Sequence, residues 1–308
     1  MSVLRVSLFG GIRIEHDGDL PREQPTRAVQ TLLAYLMLQR HRTHSRDVLA
    51  GLFWGEQPEE RARGCLSTTL WRLRRVLEPD GVARGTYLIR TADGEIGFNR
   101  ESDYWLDVAV LESGAERVLA RPAVEEVDLP RIDAGLEVYK GELLEGNYSD
   151  WALRERERLR ALYLKCLARL MCHHRDRAAY EKGLMCGEKI LILDPLREEI
   201  HREMMGMYVA SGQRALAVRQ YETCRDLLAA ELGVEPLEET QAVHAQIAGA
   251  GPERRASHAR SAGPRLQPVM QRLREALRGV EQAREQCQRA LRLAERAAAG
   301  RRRRLVDR

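Results

Sequence analysis

No stretch of this sequence approaches the roughly 20 apolar residues that a membrane-spanning helix needs. The N-terminal "MSVLRVSLFGG" alternates, with Arg5 inside it, instead of forming the apolar core of a signal peptide. A cytoplasmic protein with no membrane partner is expected. Paired C-x-x-C motifs are absent too. The six cysteines (Cys65, Cys166, Cys172, Cys186, Cys224 and Cys287) are scattered, and most lie in helical apolar patterns where a thiol packs as a small hydrophobe, so reduced thiols are expected. "CHH" at Cys172 to His174 has no second ligand pair spaced to close a tetrahedron, so no metal is expected. There is no G-x-x-x-x-G-K phosphate loop, no G-x-S-x-G elbow and no H-E-x-x-H pair, which leaves no expected cofactor and no catalytic role: not an enzyme.

What is present is length and a charge partition. With 308 residues the chain suits two domains plus an extra segment. Its net charge of +4 conceals +3 over residues 1–100, −9 over 101–250 and +10 over 251–308. Such asymmetry points to a polyanion partner at one or both ends of an acidic body.

The first hundred residues order themselves by period. Leu4, Val6 and Leu8 alternate with Arg5 and Ser7, break at Gly10-Gly11, and resume at Ile12 and Ile14, which reads as two short antiparallel strands. Thr26 is a plausible N-cap for a helix carrying Val29, Leu32, Leu33, Leu36 and Met37 on one face and ending near Arg40 to Arg42. Ser45 caps a short second helix, "RDVLAGLFW". Pro58 opens a third, where Glu59 and Glu60 complement the positive helix start. Leu66, Leu70, Leu73 and Leu77 give that third helix its core stripe, so Arg63, Ser67, Thr68, Trp71, Arg72 and Arg75 point away from it, with Arg74 on the flank. A hairpin follows in "TYLIRTADGEIGFN", with Asp93-Gly94 in the turn, Tyr87 and Ile89 alternating on one strand, and Ile96 and Phe98 on the other. Strands, helix, short helix, basic helix and hairpin is the order of a winged helix-turn-helix.

From Arg61 to Arg75 the third helix holds no acid, although solvated helices usually mix signs to gain i, i+4 pairs. Arginine forks suit guanine, Ser and Thr hydroxyls suit several base edges, and an aromatic edge suits a thymine methyl. DNA base contacts are therefore expected from Arg63, Ser67, Thr68, Trp71, Arg72 and Arg75, with Trp71 either presented to the groove or folded down beside Leu70. Phosphate contacts are expected from Arg42, Ser45, Arg46, Arg74 and Arg90.

These residues carry a family likeness. "TRAVQTLLAYLMLQRHRTHSRDVLAGLFW" followed by "RARGCLSTTLWRLRRVLEP" resembles the OmpR-type winged helix of the Streptomyces antibiotic regulatory protein family. "SDYWLDVAVLE", "YKGELLEGNYSDWALRERERLRALYLKCLARL" and "ILDPLREEIHREMMGMYVASGQRALAVRQYETCRDLLAAELGVEP" resemble the bacterial transcriptional activator domain found behind it. Together they cover roughly residues 3–248. The likeness implies an activator that binds direct repeats in promoters as a homodimer or higher oligomer, helps recruit RNA polymerase holoenzyme, and regulates a secondary-metabolism pathway such as antibiotic biosynthesis. Larger members add an ATPase domain, which is not expected here. Family members often carry a polar or basic residue near the position of Trp71, so base preference does not transfer.

The middle domain reads the same way without the family. Trp105, Val108 and Leu111 anchor a connecting strand or helix start. From Leu129 onward come helices joined by short breaks, with Asp194-Pro195 and Glu235-Pro236 each ending one. That is tetratricopeptide-like stacking of irregular period, and "RERERLR" at Arg154 to Arg160 reads as a salt-bridged solvated face. Beyond a linker at 250–263, Leu266, Leu273, Val280, Cys287 and Ala294 recur every seven residues, with Val269, Ala276, Ala283, Ala290 and Ala297 three further on. Residues 264–308 are thus expected to form a helix that either pairs with its twin as a coiled coil or docks on the acidic domain, with Arg301 to Arg304 as a basic tail. The expected organisation is a mainly α chain: a winged helix over 1–100, a helical activator domain over 101–249, a linker and a C-terminal helix. The alternative function is a tetratricopeptide-like protein adaptor or ligand sensor whose winged domain binds protein.

Overall fold

The computed structural model describes residues 3–21, 24–121 and 123–249. The linker, the C-terminal helix and the Arg301 to Arg304 tail expected from the sequence lie outside the described residues. Among the described residues no helix is long and apolar enough to cross a membrane.

Strands β1 (Leu4–Ser7) and β2 (Arg13–His16) pair antiparallel with Val6 opposite Ile14. Alternation puts Leu4, Val6 and Ile14 inward. The third strand, β5 (Tyr104–Leu106), comes from beyond residue 100 and pairs parallel with β1, Val6 opposite Leu106. A parallel pair needs a long crossover, and here the crossover is the entire winged helix-turn-helix: α1 (Arg27–Leu38), α2 (Arg46–Trp54), α3 (Glu59–Leu77), β3 (Leu88–Arg90) and β4 (Ile96–Phe98).

Asp107, the first residue of α4 (Asp107–Leu119), locks this sheet to the next domain. Its buried carboxylate accepts from the backbone N–H groups of Leu8 (2.6 Å), Phe9 (2.9 Å) and Val108 (2.7 Å). Burial raises its pKa even against those donors.

Helix α1 departs from the expected one-sided burial. It ends at Leu38, Thr26 occupies the cap position without a side-chain cap bond, and Ala34, Tyr35 and Leu38 are buried as well as the expected face. The cover comes from α6 (Asp150–Asp176), whose Trp151 sits edge-on to Tyr35 at 5.2 Å and to Phe53 of α2 at 6.2 Å. Arg40, 8% exposed, meets Glu112 of α4 at 2.5 Å, and Arg158 of α6 donates to the same carboxylate at 2.8 Å. Desolvation would raise the pKa of Glu112, but these two guanidinium groups hold it below the usual range. Residues 1–247 accordingly form one compact unit.

"RERERLR" proves to be more than a solvated face. Arg156 turns inward and donates to the carbonyls of Leu143 (2.9 Å), Leu144 (3.0 Å) and Asn147 (3.1 Å), while Arg160 reaches Leu193 O at 2.5 Å. The remaining helices are α5 (Leu129–Glu137), α7 (Tyr180–Leu193), α8 (Glu198–Ala210), α9 (Arg214–Glu231) and α10 (Glu238–Gly249), and the chain is mainly helical as expected. Glycines set the closest helix contacts. A Cβ on Gly187 of α7 would stand 2.7 Å from the sulfur of Met204 on α8, so any larger residue would force the Met204 side chain to move. The thiols of Cys166, Cys186 and Cys224 are free and buried, and burial pushes each up to about 11.

Candidate nucleic-acid interface

The site begins at Ser45, whose hydroxyl accepts from Val48 N–H (3.2 Å) and starts α2, as its position in the sequence predicts. Leu49 and Ala50 turn α2 inward; Leu66, Leu70, Leu73 and Leu77 do the same for α3. With that stripe buried, Arg63, Ser67, Thr68, Trp71, Arg72 and Arg75 are all exposed. Trp71 is 59% exposed, which decides between its two expected positions, and the Arg75 guanidinium lies over its ring at 5.1 Å. The pair makes a flat cationic plate on the helix surface. Among the described residues, no carboxylate lies within ion-pair reach of Arg72 or Arg75.

The polar residues nearer the start of α3 are partly engaged. Ser67 donates to Arg63 O (2.8 Å) and accepts from Arg46 of α2 (2.7 Å), so Arg46 fastens the two helices together at the surface. Thr68 donates to Gly64 O (3.1 Å), which leaves its methyl and an oxygen lone pair for a partner.

Two of the expected contact residues already have partners within the protein. Arg63 is not a free groove-facing cation: its Nε binds Asp47 of α2 (2.9 Å) and its Nη2 binds Glu59 one turn earlier (2.7 Å), and the Asp47 bond raises its pKa. All three side chains are more than half exposed, so water screens the pairing. Arg74, expected at a phosphate, is engaged within the protein. It turns under the hairpin, with Nη2 donating to Leu88 O (3.3 Å) and Nη1 to Glu78 (3.4 Å). The Glu78 side chain, only 2% exposed, also accepts from the N–H groups of Gly85 (2.9 Å), Tyr87 (3.1 Å) and Leu88 (3.1 Å). Arg74 and Glu78 therefore clasp the hairpin to the end of α3.

The hairpin lies where a wing is needed, with β3 and β4 antiparallel and Gly94 at φ +83° in the turn. Its inward residues are Leu88, Ile96, Gly97 and Phe98, whereas Ile89 is only half-buried; Tyr87 is buried just ahead of the strand. One further attachment was not legible in the sequence: His44 and Ile96 exchange both backbone bonds at 2.8 Å, and Thr43 donates to Glu95. The buried His44 ring packs at a tilt against Tyr35, centroids 5.0 Å apart; desolvation, and then Arg42, lower its pKa. Arg42 and Arg90 are exposed at either edge of this junction, with Arg90 folded over the turn near Gly94. Among the described residues no group of three or more His, Cys, Asp or Glu is arranged to hold a metal.

Residues 106–248 match the model of the bacterial transcriptional activator domain. Regulatory protein AfsR of Streptomyces coelicolor is 31% identical over 274 residues, a span that takes in 86% of this chain and 26% of AfsR. Transcriptional regulatory protein MoaR1 of Mycobacterium tuberculosis is 26% identical over 232 residues, covering 71% of each chain. The chain thus spans about a quarter of the length of the AfsR relatives it matches. Among solved structures, Mycobacterium tuberculosis EmbR, determined in complex with a low-affinity phosphopeptide, superimposes with a TM-score of 0.58 at 21% identity, covering 82% of this chain and 66% of EmbR. That likeness shows a shared fold.

Proposed function

We propose that this chain, which belongs to the Streptomyces antibiotic regulatory protein family, activates transcription by placing α3 in the major groove of promoter DNA. The observation that carries the reading is the exposed plate of Trp71 and Arg75 beside an unpaired Arg72, on the second helix of a capped helix-turn-helix with a wing alongside. An exposed indole is stabilised when a partner covers it, and a groove floor offers base edges and thymine methyls at the right depth. Arg72 and Arg75 read base edges, with Thr68 and Ser67 adjoining them. Arg42, Arg46 and Arg90, together with the N-terminus of α2 at Ser45, hold phosphates on both sides. The acidic helical domain behind contacts RNA polymerase, and protomers occupy direct repeats side by side to switch on a secondary-metabolism pathway. The protein acts in the cytoplasm and performs no catalysis.

Salt dependence tests the DNA reading. Three phosphate contacts per protomer release enough counterion to lower affinity about forty-fold between ~50 and ~200 mM salt. Gel shifts over that range, on a duplex selected by the protein from a random library, should show this slope. Failure to select any duplex would favour a winged domain that binds protein instead.

A further inference from the structure

The N-terminal sheet and the helical domain are joined by backbone as well as side chains. Gly10 N–H donates to Glu142 O (2.8 Å), Leu144 N–H to Leu8 O (2.9 Å) and Glu145 N–H to Gly10 O (2.9 Å). Gly141 lies so close that a Cβ there would stand 3.2 Å from Gly10 Cα. Beside this seam opens a cleft of about 570 Å³, bounded by β1, β2, the start of α4 and the end of α5. That volume lies within the range of small-molecule sites.

Several of its charged groups are already committed. Arg13 is held by Glu15 at 2.5 Å, and Asp107 is occupied by the three backbone donors described above. Arg5 and Lys140 remain: both line the cleft, both are exposed, and neither has a carboxylate within ion-pair reach among the described residues. Arg5 is nevertheless held in place, its guanidinium 4.1 Å from the centroid of the Trp105 ring, which pairs with it across the parallel strands. A stacked guanidinium has its in-plane N–H groups free for a carboxylate. Part of the lining is an apolar wall contributed by Phe9, Val110 and Val138.

The geometry points to this cleft as a binding site for a small organic anion with a flat apolar body, an aromatic carboxylate by class. The carboxylate takes Arg5 and Lys140, and the ring covers Trp105 and the apolar wall. A compact, highly charged anion fits less well, because Glu15 and Glu137 line the same cleft and no apolar body would fill it. The site lies on the sheet and α5 and is independent of the DNA reading.

The four tryptophan indole N–H resonances of the full chain provide the test, with Trp105 identified by Trp105→Phe. Titration with 1-naphthoate to millimolar concentration should move the Trp105 signal saturably and leave Trp71 in place. Arg5→Ala and Lys140→Ala should each weaken this binding about tenfold; Lys140→Ala should leave Tm unaltered, whereas Arg5→Ala also gives up the contact with Trp105 and should lower it slightly. The uncharged 1-naphthol and inorganic phosphate should each bind at least about tenfold more weakly. A Trp105 signal that stays still, naphthoate binding undiminished in Lys140→Ala, or phosphate binding as well as naphthoate would each overturn the assignment.

Discussion

Arg72 and Arg74 are two residues apart on one helix, and their roles should separate cleanly under alanine substitution. Arg72 is exposed and has no ion-pair partner among the described residues, so Arg72→Ala breaks no ion pair there and should leave Tm nearly unchanged. Its loss on DNA should be large: a bidentate arginine-guanine pair is worth about 1–3 kcal/mol, or roughly 5-fold to 150-fold in affinity for the selected duplex, with little change on random DNA. Arg74→Ala should do the reverse. It deletes two bonds at 3.3 and 3.4 Å, both long, so each is counted at the lower part of the range for an ordinary hydrogen bond, about 0.5–1 kcal/mol, or about 1–2 kcal/mol in total. Glu78 keeps its three backbone donors and is not left bare. For a unit of this size the loss amounts to a Tm decrease of about 2–8 °C. Thermal melts and gel shifts on both variants decide the matter. Equal affinity losses on selected and random duplexes for Arg72→Ala, or an unchanged Tm for Arg74→Ala, would refute the division of labour argued here.

Glu112→Ala should destabilise the chain by about 2 kcal/mol, less than the ~3–5 kcal/mol for a fully buried pair because Glu112 is 24% exposed; it strands Arg40, whose remaining hydrogen bond among the described residues is a 3.3 Å contact to Met37 O. A urea midpoint indistinguishable from that of the parent would contradict the coupling of α1 to α4 and α6. Acid should also weaken the fold through its histidines. Burial lowers the pKa values of His44 and His201 below the ordinary histidine value of 6.5, so the unfolded chain binds more protons below that point. Their contribution is fully present above about pH 6.5 and is lost as pH falls through the folded values. Tm measured against pH should decline from about 6.5 downward, and less steeply in His44→Gln; a Tm that rises on acidification would reverse the sign argued here.

Much of the winged helix is legible because its signals are local. The leucine stripe of α3, the Ser45 cap and the Gly94 turn each depend on residues within a few positions of one another, where helix and turn geometry leaves little choice. The Arg63–Glu59 pair belongs to this class, being one helical turn apart, whereas Asp47 reaches Arg63 from a separate helix. Spacing alone leaves Trp71 two positions, since the same register allows it out over the surface or down beside Leu70. Packing against α1 and α2 fills the interior with leucines and leaves the indole outside.

Residue order by itself determined where the helices start, which stripe of α3 turns inward, and that cations crowd its opposite side, because those features follow from periodicity and capping over one or two turns. Only the tertiary structure decided which cations stay available, that α1 is buried beyond its single apolar face, that β5 returns to pair with β1, and that a cleft opens beside the seam. Each of these joins residues far apart in the chain. Partners at such separations are selected by how whole elements pack, and no local period records that choice.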